Sequence, residues 1–308
     1  MRTPTHNSQA NAKHRSSFVP QTNSAPQGRR NGALGLSRGW SRPDQPAPSG
    51  RKKHPHSTAA ELRIIPLPIE REVQPGNSLT GLLLASLKHQ KERLRKGDIL
   101  VIKHKIVSKA EGQFVELKKI KPSAASRRWA RRYNLDPRVI ELAIAQSRRI
   151  VRRKRGVLIT ETHHGLISAN SAVDISNVDG GRHALLLPKD PDRSAAKIHA
   201  ELKKTLRLSV PVIITDTFGR PWREGLTEVA IGVAGMKALH DYRGLCDPHS
   251  YRLQASIDAD ADQLACAAGL VCGKLARTPA CIIRGFAYQP GPGTARDLIR
   301  PAAHDLFR

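Results

Sequence analysis

From residue 62 onward, short apolar runs alternate with stretches of helical spacing. Arg63–Leu67 predicts a strand, closed by Pro66 and Pro68. Ser78 precedes Leu79, Leu82, Leu83 and Leu87, an apolar stripe at helical spacing behind a hydroxyl N-cap. In residues 98–102 Asp98 opens an unbroken apolar run, Ile99 to Ile102, the pattern of a strand buried on both faces, and 106–110 lead from it into a turn at Glu111 and Gly112. Residues 123–149 predict two helices broken at 134–137, where Asp136 caps the second and Pro137 takes its first turn. Further strands are predicted at 157–160, 185–187, 212–215, 227–236 and 280–283. Further helices are predicted at 193–208, capped by Asp192, and at 258–273, with a terminal helical tail at 296–308 interrupted by Pro301. Strands and helices alternate irregularly and no segment repeats. The predicted class is α+β, with mixed sheets and packed helices.

Residues 1–58 have no such pattern. They are rich in Ser, Pro, Gln, Asn and Arg, and cannot bury enough apolar surface to offset their ordering entropy. The expected organisation is a disordered basic tail, 1–58, and a folded region, 59–308, of one domain or two subdomains. Hydrophobic residues make up 39% of the chain, and no run approaches the roughly 18–20 apolar residues that span a bilayer. With no hydrophobic leader near Met1, a cytoplasmic protein with no membrane association is expected. Cys246, Cys266, Cys272 and Cys281 form no CxxC pair and read as reduced core thiols.

Charge narrows the partners. The 308 residues carry a net +26. Residues 1–58 hold ten Lys/Arg against Asp44 alone, so the folded region keeps +17. Anionic partners follow: a nucleotide, a phosphorylated metabolite or nucleic acid. Fourteen Lys/Arg fall between Lys118 and Arg155 against two acids, either a solvated helical face or a means of steering an anionic substrate. Aromatic residues are only 4% and do not interleave with the basic ones, so nucleic acid is the less favoured partner. Trp129 and Tyr133 stand at i and i+4 and are expected to pack as a helix stripe.

Candidate chemistry gathers in residues 161–181 and 215–223. Asp174 and Asp216 each stand where an apolar run meets a polar turn, the place where backbone amides and carboxylates meet ligands. A shared metal or phosphate site is one reading; from the residues alone, an Asx-turn accounts for Asp174 and Asn177 more simply. Lys109 is a mobile point charge suited to a phosphate, or an ordinary surface lysine. Arg220 and Arg223 clamp phosphate or carboxylate in one reading and form surface ion pairs in the other. His163 and His164 are adjacent on a presumed strand, so they point to opposite faces and are expected to hydrogen-bond rather than share an ion. Neither GxxxxGK[ST] nor GxGxxG occurs.

Four segments in order, GDILVIKHKIVSKAEG, VDISNV, LLLPKDPDRSA and VIITDTFGRPWREGLTEVAIGVAGMKAL, resemble the coenzyme F-420 γ-glutamyl ligases over about residues 64–308. Those enzymes add glutamate to the lactyl-phosphate tail of a deazaflavin. The resemblance implies the family's own α+β fold, a homodimer, and GTP, L-glutamate and a deazaflavin precursor as partners, the glutamate joined through an acyl phosphate. It implies Mg²⁺ or Mn²⁺ and a monovalent cation as cofactors. Asp174, Asp216 and Thr217 match metal-binding positions; His104, Lys105, Lys109 and Asn177 match nucleotide contacts. Asp174, Asp216 and Lys109 would carry the catalysis. The sequence departs from the family pattern at residues 68–71, where a GLP-type segment is replaced, and at His104, which replaces a small hydroxyl residue. Lys274 stands where archaeal relatives carry a glutamate, which resembles the bacterial branch, here without its fused flavin-reductase-like domain. Two alternatives stay open: a nucleotide-dependent glutamate ligase acting on another phosphorylated carboxylate, and a nucleic-acid-binding protein.

Overall fold

A computed structural model describes residues 61–176 and 179–305; the tail predicted over 1–58 lies outside them. Five strands make the central sheet: β1 (Arg63–Leu67), β2 (Ile99–Lys103), β8 (Val212–Arg220), β9 (Arg223–Ala234) and β12 (Ala280–Arg284). Their order is β1-β12-β2-β8-β9, antiparallel except for the parallel β2–β8 pair. A second sheet joins β4 (Ser147–Lys154), β5 (Val157–Thr162) and β6 (Ile167–Ala169). Two-stranded pairs join β3 (Phe114–Glu116) to β7 (His183–Leu185) and β10 (His240–Asp241) to β11 (Ile257–Asp258). The helices are α1 (Leu79–His89), α2 (His104–Ala110), α3 (Ala124–Tyr133), α4 (Pro137–Ala145), α5 (Pro191–Leu206) and α6 (Asp260–Gly269). The architecture is α+β, as the pattern predicts.

Period-two alternation divides the central strands between two cores. Leu100, Ile102, Val212, Ile214 and Ile282 face α1 and α5, meeting Leu83, Leu87, Ile198 and Leu202. Ile99, Val101, Ile213, Cys281 and Ile283 face α6, meeting Leu264, Ala265 and Ala268. Covered on both sides, β2 needs apolar residues at every position, which is why 98–102 reads as a buried strand. The start of α5 is seated directly on β9: a Cβ added at Gly232 would lie 2.3 Å from the Pro191 carbonyl oxygen. Ser78 caps α1 as predicted, its hydroxyl accepting from the Gly81 amide. Trp129 and Tyr133 pack together with ring centroids 4.7 Å apart.

Several boundaries differ from the sequence expectation. The second predicted helix stops at Ala145, and five of the fourteen basic residues fall on the edge strand β4. Lys and Arg on an edge strand discourage pairing with a second chain, so tertiary placement overrides the helical spacing. Asp190, not Asp192, caps α5; its carboxylate accepts from the Arg193 amide and Pro191 takes the first helical position. Asp192 instead accepts from the amides of Val233 and Ala295, tying α5 to β9 and to the C-terminal segment. That segment forms only short 3₁₀ turns, Ala295–Leu298 and Ala302–His304. Cys272 and Cys281 are buried, whereas Cys246 and Cys266 are exposed, so two of the four thiols are not in the core. No described helix is long and apolar enough to cross a membrane.

Candidate active site

The site is built at the junction of β2 and α2, where three consecutive residues each grip a carboxylate. Lys103, the last residue of β2, pairs with Glu228. His104 Nε2 lies 3.2 Å from Asp216 Oδ1. Lys105 Nζ lies 2.5 Å from Asp174 Oδ2 and donates to Ser176 Oγ at 2.9 Å. The carboxylates come from three separate elements. Parallel pairing of β2 with β8 places Lys103 opposite Thr215, so His104 falls level with Asp216. Glu228 arrives from β9, directly across from Thr217.

Strand β8 runs on to Arg220, so Asp216 lies within a strand and not at its end. Alternation then sends Asp216 and its neighbours to opposite faces. Thr215 Oγ1 donates to Glu228 Oε2 at 2.9 Å and Thr217 Oγ1 donates to Glu228 Oε1 at 2.8 Å, while Asp216 turns toward His104. Glu228, His104 and Thr215 are buried. Charged groups this deep are tolerated because each carboxylate has a cationic partner or hydroxyl donors.

Asp174 is carried by a strained loop. Asn170, Ser171 and Ala172 all hold left-handed backbone, with φ of 49°, 55° and 55°, costing roughly 1 kcal/mol or more each. The buried Ser171 hydroxyl pins this loop, donating to the Ala143 carbonyl at 2.6 Å, and the Leu158 amide donates to Asn170 Oδ1 at 3.1 Å. Asp174 then pairs by backbone with Leu185, and its Oδ1 accepts from the Ser176 amide at 2.7 Å, the Asx-turn geometry. Burial alone would push the Asp174 carboxyl up; Lys105 and the Ser176 donors outweigh it and hold it below its ordinary 3.8.

Lys109, buried at the far end of α2, pairs with Glu72 of the loop after β1. The Gly76 amide donates to Ala110 O at 2.8 Å, so this loop is docked on the end of α2. Arg220 and Arg223 do not join the cluster. They face each other across the exposed hairpin end, four and more residues beyond Asp216, about 13 Å at 3.3 Å per strand residue. The Arg220 guanidinium donates to the Glu224 carbonyl at 3.0 Å. His163 and His164 sit in a turn after β5 and bond to the carbonyls of Ala145 and Pro188, as expected of non-ligands. Asn177 lies outside the described residues.

Among the described residues, no group of three or more His, Cys, Asp and Glu side chains is placed to hold a metal ion by itself. The available donors are the carboxylates of Asp174 and Asp216, both hard oxygens; the Thr217 hydroxyl, matched to a metal position by the resemblance, lies on the other face of β8 against Glu228. That set fits Mg²⁺ or Mn²⁺, which typically takes one or two carboxylates and completes its shell with water and nucleotide phosphates.

A family model described as F420-0:Gamma-glutamyl ligase matches residues 69–285, most of the described fold. The chain belongs to the F420-0:gamma-glutamyl ligase family. The coenzyme F420:L-glutamate ligase of Methanopyrus kandleri is 43% identical over 252 residues, covering 80% of this chain and 98% of that protein. Its namesake from Methanothermobacter thermautotrophicus is 41% identical over 239 residues, with coverage of 77% and 94%. That from Methanocaldococcus jannaschii is 42% identical over 213 residues, with coverage of 69% and 85%.

Sequence inspection missed Lys103, Glu228, Glu72 and Ser176. Glu228 is instructive. Counting back from the two-residue turn at Pro221 and Trp222 places Leu226 opposite Thr217. A register shift between Gly219 and Arg220 moves Glu228 there instead, around Gly225 with φ +82°. Only a warning existed in the sequence: the glycine, which marks a possible bulge.

Proposed function

We propose that this chain is a GTP-dependent ligase that adds L-glutamate to the lactyl-phosphate tail of the deazaflavin coenzyme F-420 precursor. Family membership and relatives named coenzyme F420:L-glutamate ligase support glutamate ligation. The observation that carries the site assignment is the convergence of Asp174 and Asp216 on the adjacent residues Lys105 and His104.

In this reading the GTP γ-phosphoryl group passes to the acceptor's terminal carboxylate, and GDP leaves. The glutamate amine then attacks the acyl carbon: a C–N bond forms, the C–O bond to phosphate breaks, and the amine proton passes to solvent. Asp174 and Asp216 would hold Mg²⁺ or Mn²⁺, which when bound neutralises charge on the transferred phosphoryl group; Thr217 could join them only by turning its hydroxyl away from Glu228. Lys105 and Lys109 are compact ammonium groups able to exchange a carboxylate partner for a phosphate oxygen. His104 orients Asp216, and Glu228 orients the Thr217 hydroxyl. A monovalent cation, a homodimer and Asn177 as a nucleotide contact complete the proposal.

The deciding experiment incubates purified protein with GTP, Mn²⁺, L-glutamate and the deazaflavin precursor and follows the products by mass spectrometry. A new species heavier by one glutamyl residue, formed with GTP and not without nucleotide, is expected. Absence of that species with every component present would overturn the assignment. The altered residues 68–71, which directly precede Glu72, the partner of Lys109, favour testing other phosphorylated carboxylate acceptors in the same assay as the second reading.

A further inference from the structure

A cavity of about 530 Å³ opens away from the carboxylate cluster, between the turn after β5, the residues before α5 and the C-terminal turns. Its wall brings together Arg148, His163, His164, Lys189, Arg296 and Arg300, from four segments of the chain, and the one carboxylate in its lining is Glu161. Glu161 is engaged by Arg149 at 2.8 Å and by Arg148 at 3.9 Å. Arg296 reaches Asp190 at 3.6 Å. Lys189 and Arg300 are exposed and have no hydrogen bond or ion pair within the described residues.

The two imidazoles are fixed in place by their bonds to the Ala145 and Pro188 carbonyls, at 3.2 and 2.9 Å. With Nε2 donating to the Pro188 carbonyl, His164 Nδ1 is left as a buried acceptor without a partner among the described residues, a place for a bound water rather than for the anion itself. The turn between them is tightly constructed. Gly165 has φ +89°, and a Cβ there would touch Ile299 Cδ1 at 3.4 Å. The wall is therefore a preformed pocket edge carrying four permanent cations, of which Arg148 and Arg296 reach the carboxylates of Glu161 and Asp190 while Lys189 and Arg300 do not.

We propose that this cavity is a binding site for a small anion presenting a phosphoryl group. Arginine forks and a lysine converging from several directions match the many acceptor oxygens of a phosphate or phosphodiester. None of the lining residues belongs to the Asp174–Asp216 cluster, so the proposal stands apart from the nucleotide reading. The phosphoryl group is either the phosphodiester of the acceptor or free phosphate.

The test is calorimetric titration of the full-length protein with inorganic phosphate at about 0.15 M salt, where long-range attraction is screened beyond roughly 8 Å. Saturable binding is expected for the wild type. The Lys189→Gln/Arg300→Gln double variant should bind at least about ten-fold more weakly, as loss of two charge-assisted contacts requires. Arg152→Gln/Arg153→Gln removes two charges from exposed positions outside the cavity and should bind as the wild type does. Both variants alter exposed side chains, and matching thermal melts confirm that each is folded. No saturable binding by the wild type, or equal weakening in the two variants, would overturn the proposal. Competition identifies the source. Phosphate that raises the apparent KM for the acceptor with kcat kept marks the acceptor's phosphodiester; phosphate that binds without affecting that KM marks free phosphate as the ligand.

Discussion

At the scale of single residues, the cluster at the β2–α2 junction pairs two lysines, Lys103 and Lys105, with the carboxylates of Glu228 and Asp174, and sets His104 against Asp216. Removing one member leaves its partner uncompensated. Glu228→Gln strands the Lys103 ammonium and weakens two threonine hydrogen bonds, and should destabilise the protein by about 3 kcal/mol, the low end for breaking a buried pair. A chemical denaturation series checks it; unchanged stability would show that the pair is solvated. Asp174→Asn and Asp216→Asn should each abolish ligation while leaving the far-UV spectrum intact, since each removes one of two metal-type carboxylates. Near wild-type turnover of either variant at saturating Mn²⁺ counts against a shared site. Asp262 is a different case: burial pushes its carboxyl above the ordinary 3.8, only partly offset by the Ala230 amide. A raised acid pKa means the charged form is disfavoured in the fold, so its cost is present at neutral pH and fades as pH falls through the folded value toward 3.8. Asp262→Asn should raise the melting temperature at pH 7 and lose that advantage near pH 3.8. An equal gain at both pH values would exclude the charge as its origin.

At the scale of elements, β4 links charge to architecture. Its arginines lie along an exposed sheet edge, where they repel a second edge strand and attract anions. Neutralising Arg148, Arg149, Arg152 and Arg153 together should raise the apparent KM for an anionic substrate at low salt. The difference should shrink as salt screens it, with kcat largely kept. Fluorescent duplex DNA should bind the wild type weakly and be released at physiological salt, with a log–log salt slope that falls in the variant. Tight duplex binding that persists there would revive the nucleic-acid alternative. The elements were the most legible part of the sequence. The Leu stripe of α1, the Asp136–Pro137 start of α4 and the unbroken apolar run of β2 are local signals with local causes. The errors fall where a tertiary partner decides: β8 continues to Arg220 because β9 pairs with it, and α5 is capped by Asp190 because Asp192 bonds to β9.

At the scale of the whole molecule, the described fold closes on itself beginning at β1, whose five residues are all paired with β12. Deleting residues 1–58 should therefore leave the melting temperature and any ligase activity within error of the full chain, because the described sheets and cores keep all their described members. A fall of several degrees would show that the tail contributes to the fold. The carboxylate cluster and the cationic cavity share no residue, so the mutational tests for the two are independent.

The sequence by itself determined the α+β class, most strands and helices, and the family, because hydrophobic period, caps and four ordered motifs are properties of neighbouring residues. It also singled out Asp174, Asp216, His104, Lys105 and Lys109 through the family resemblance. It did not determine which charge meets which. His104 reaches Asp216 only through the parallel pairing of strands more than one hundred residues apart, and Glu228 reaches Thr217 only through a bulge that shifts the hairpin register. The cationic cavity likewise needs residues near 148, 189 and 300 to converge. Such contacts depend on strand order and register, which long-range packing sets and local pattern does not encode.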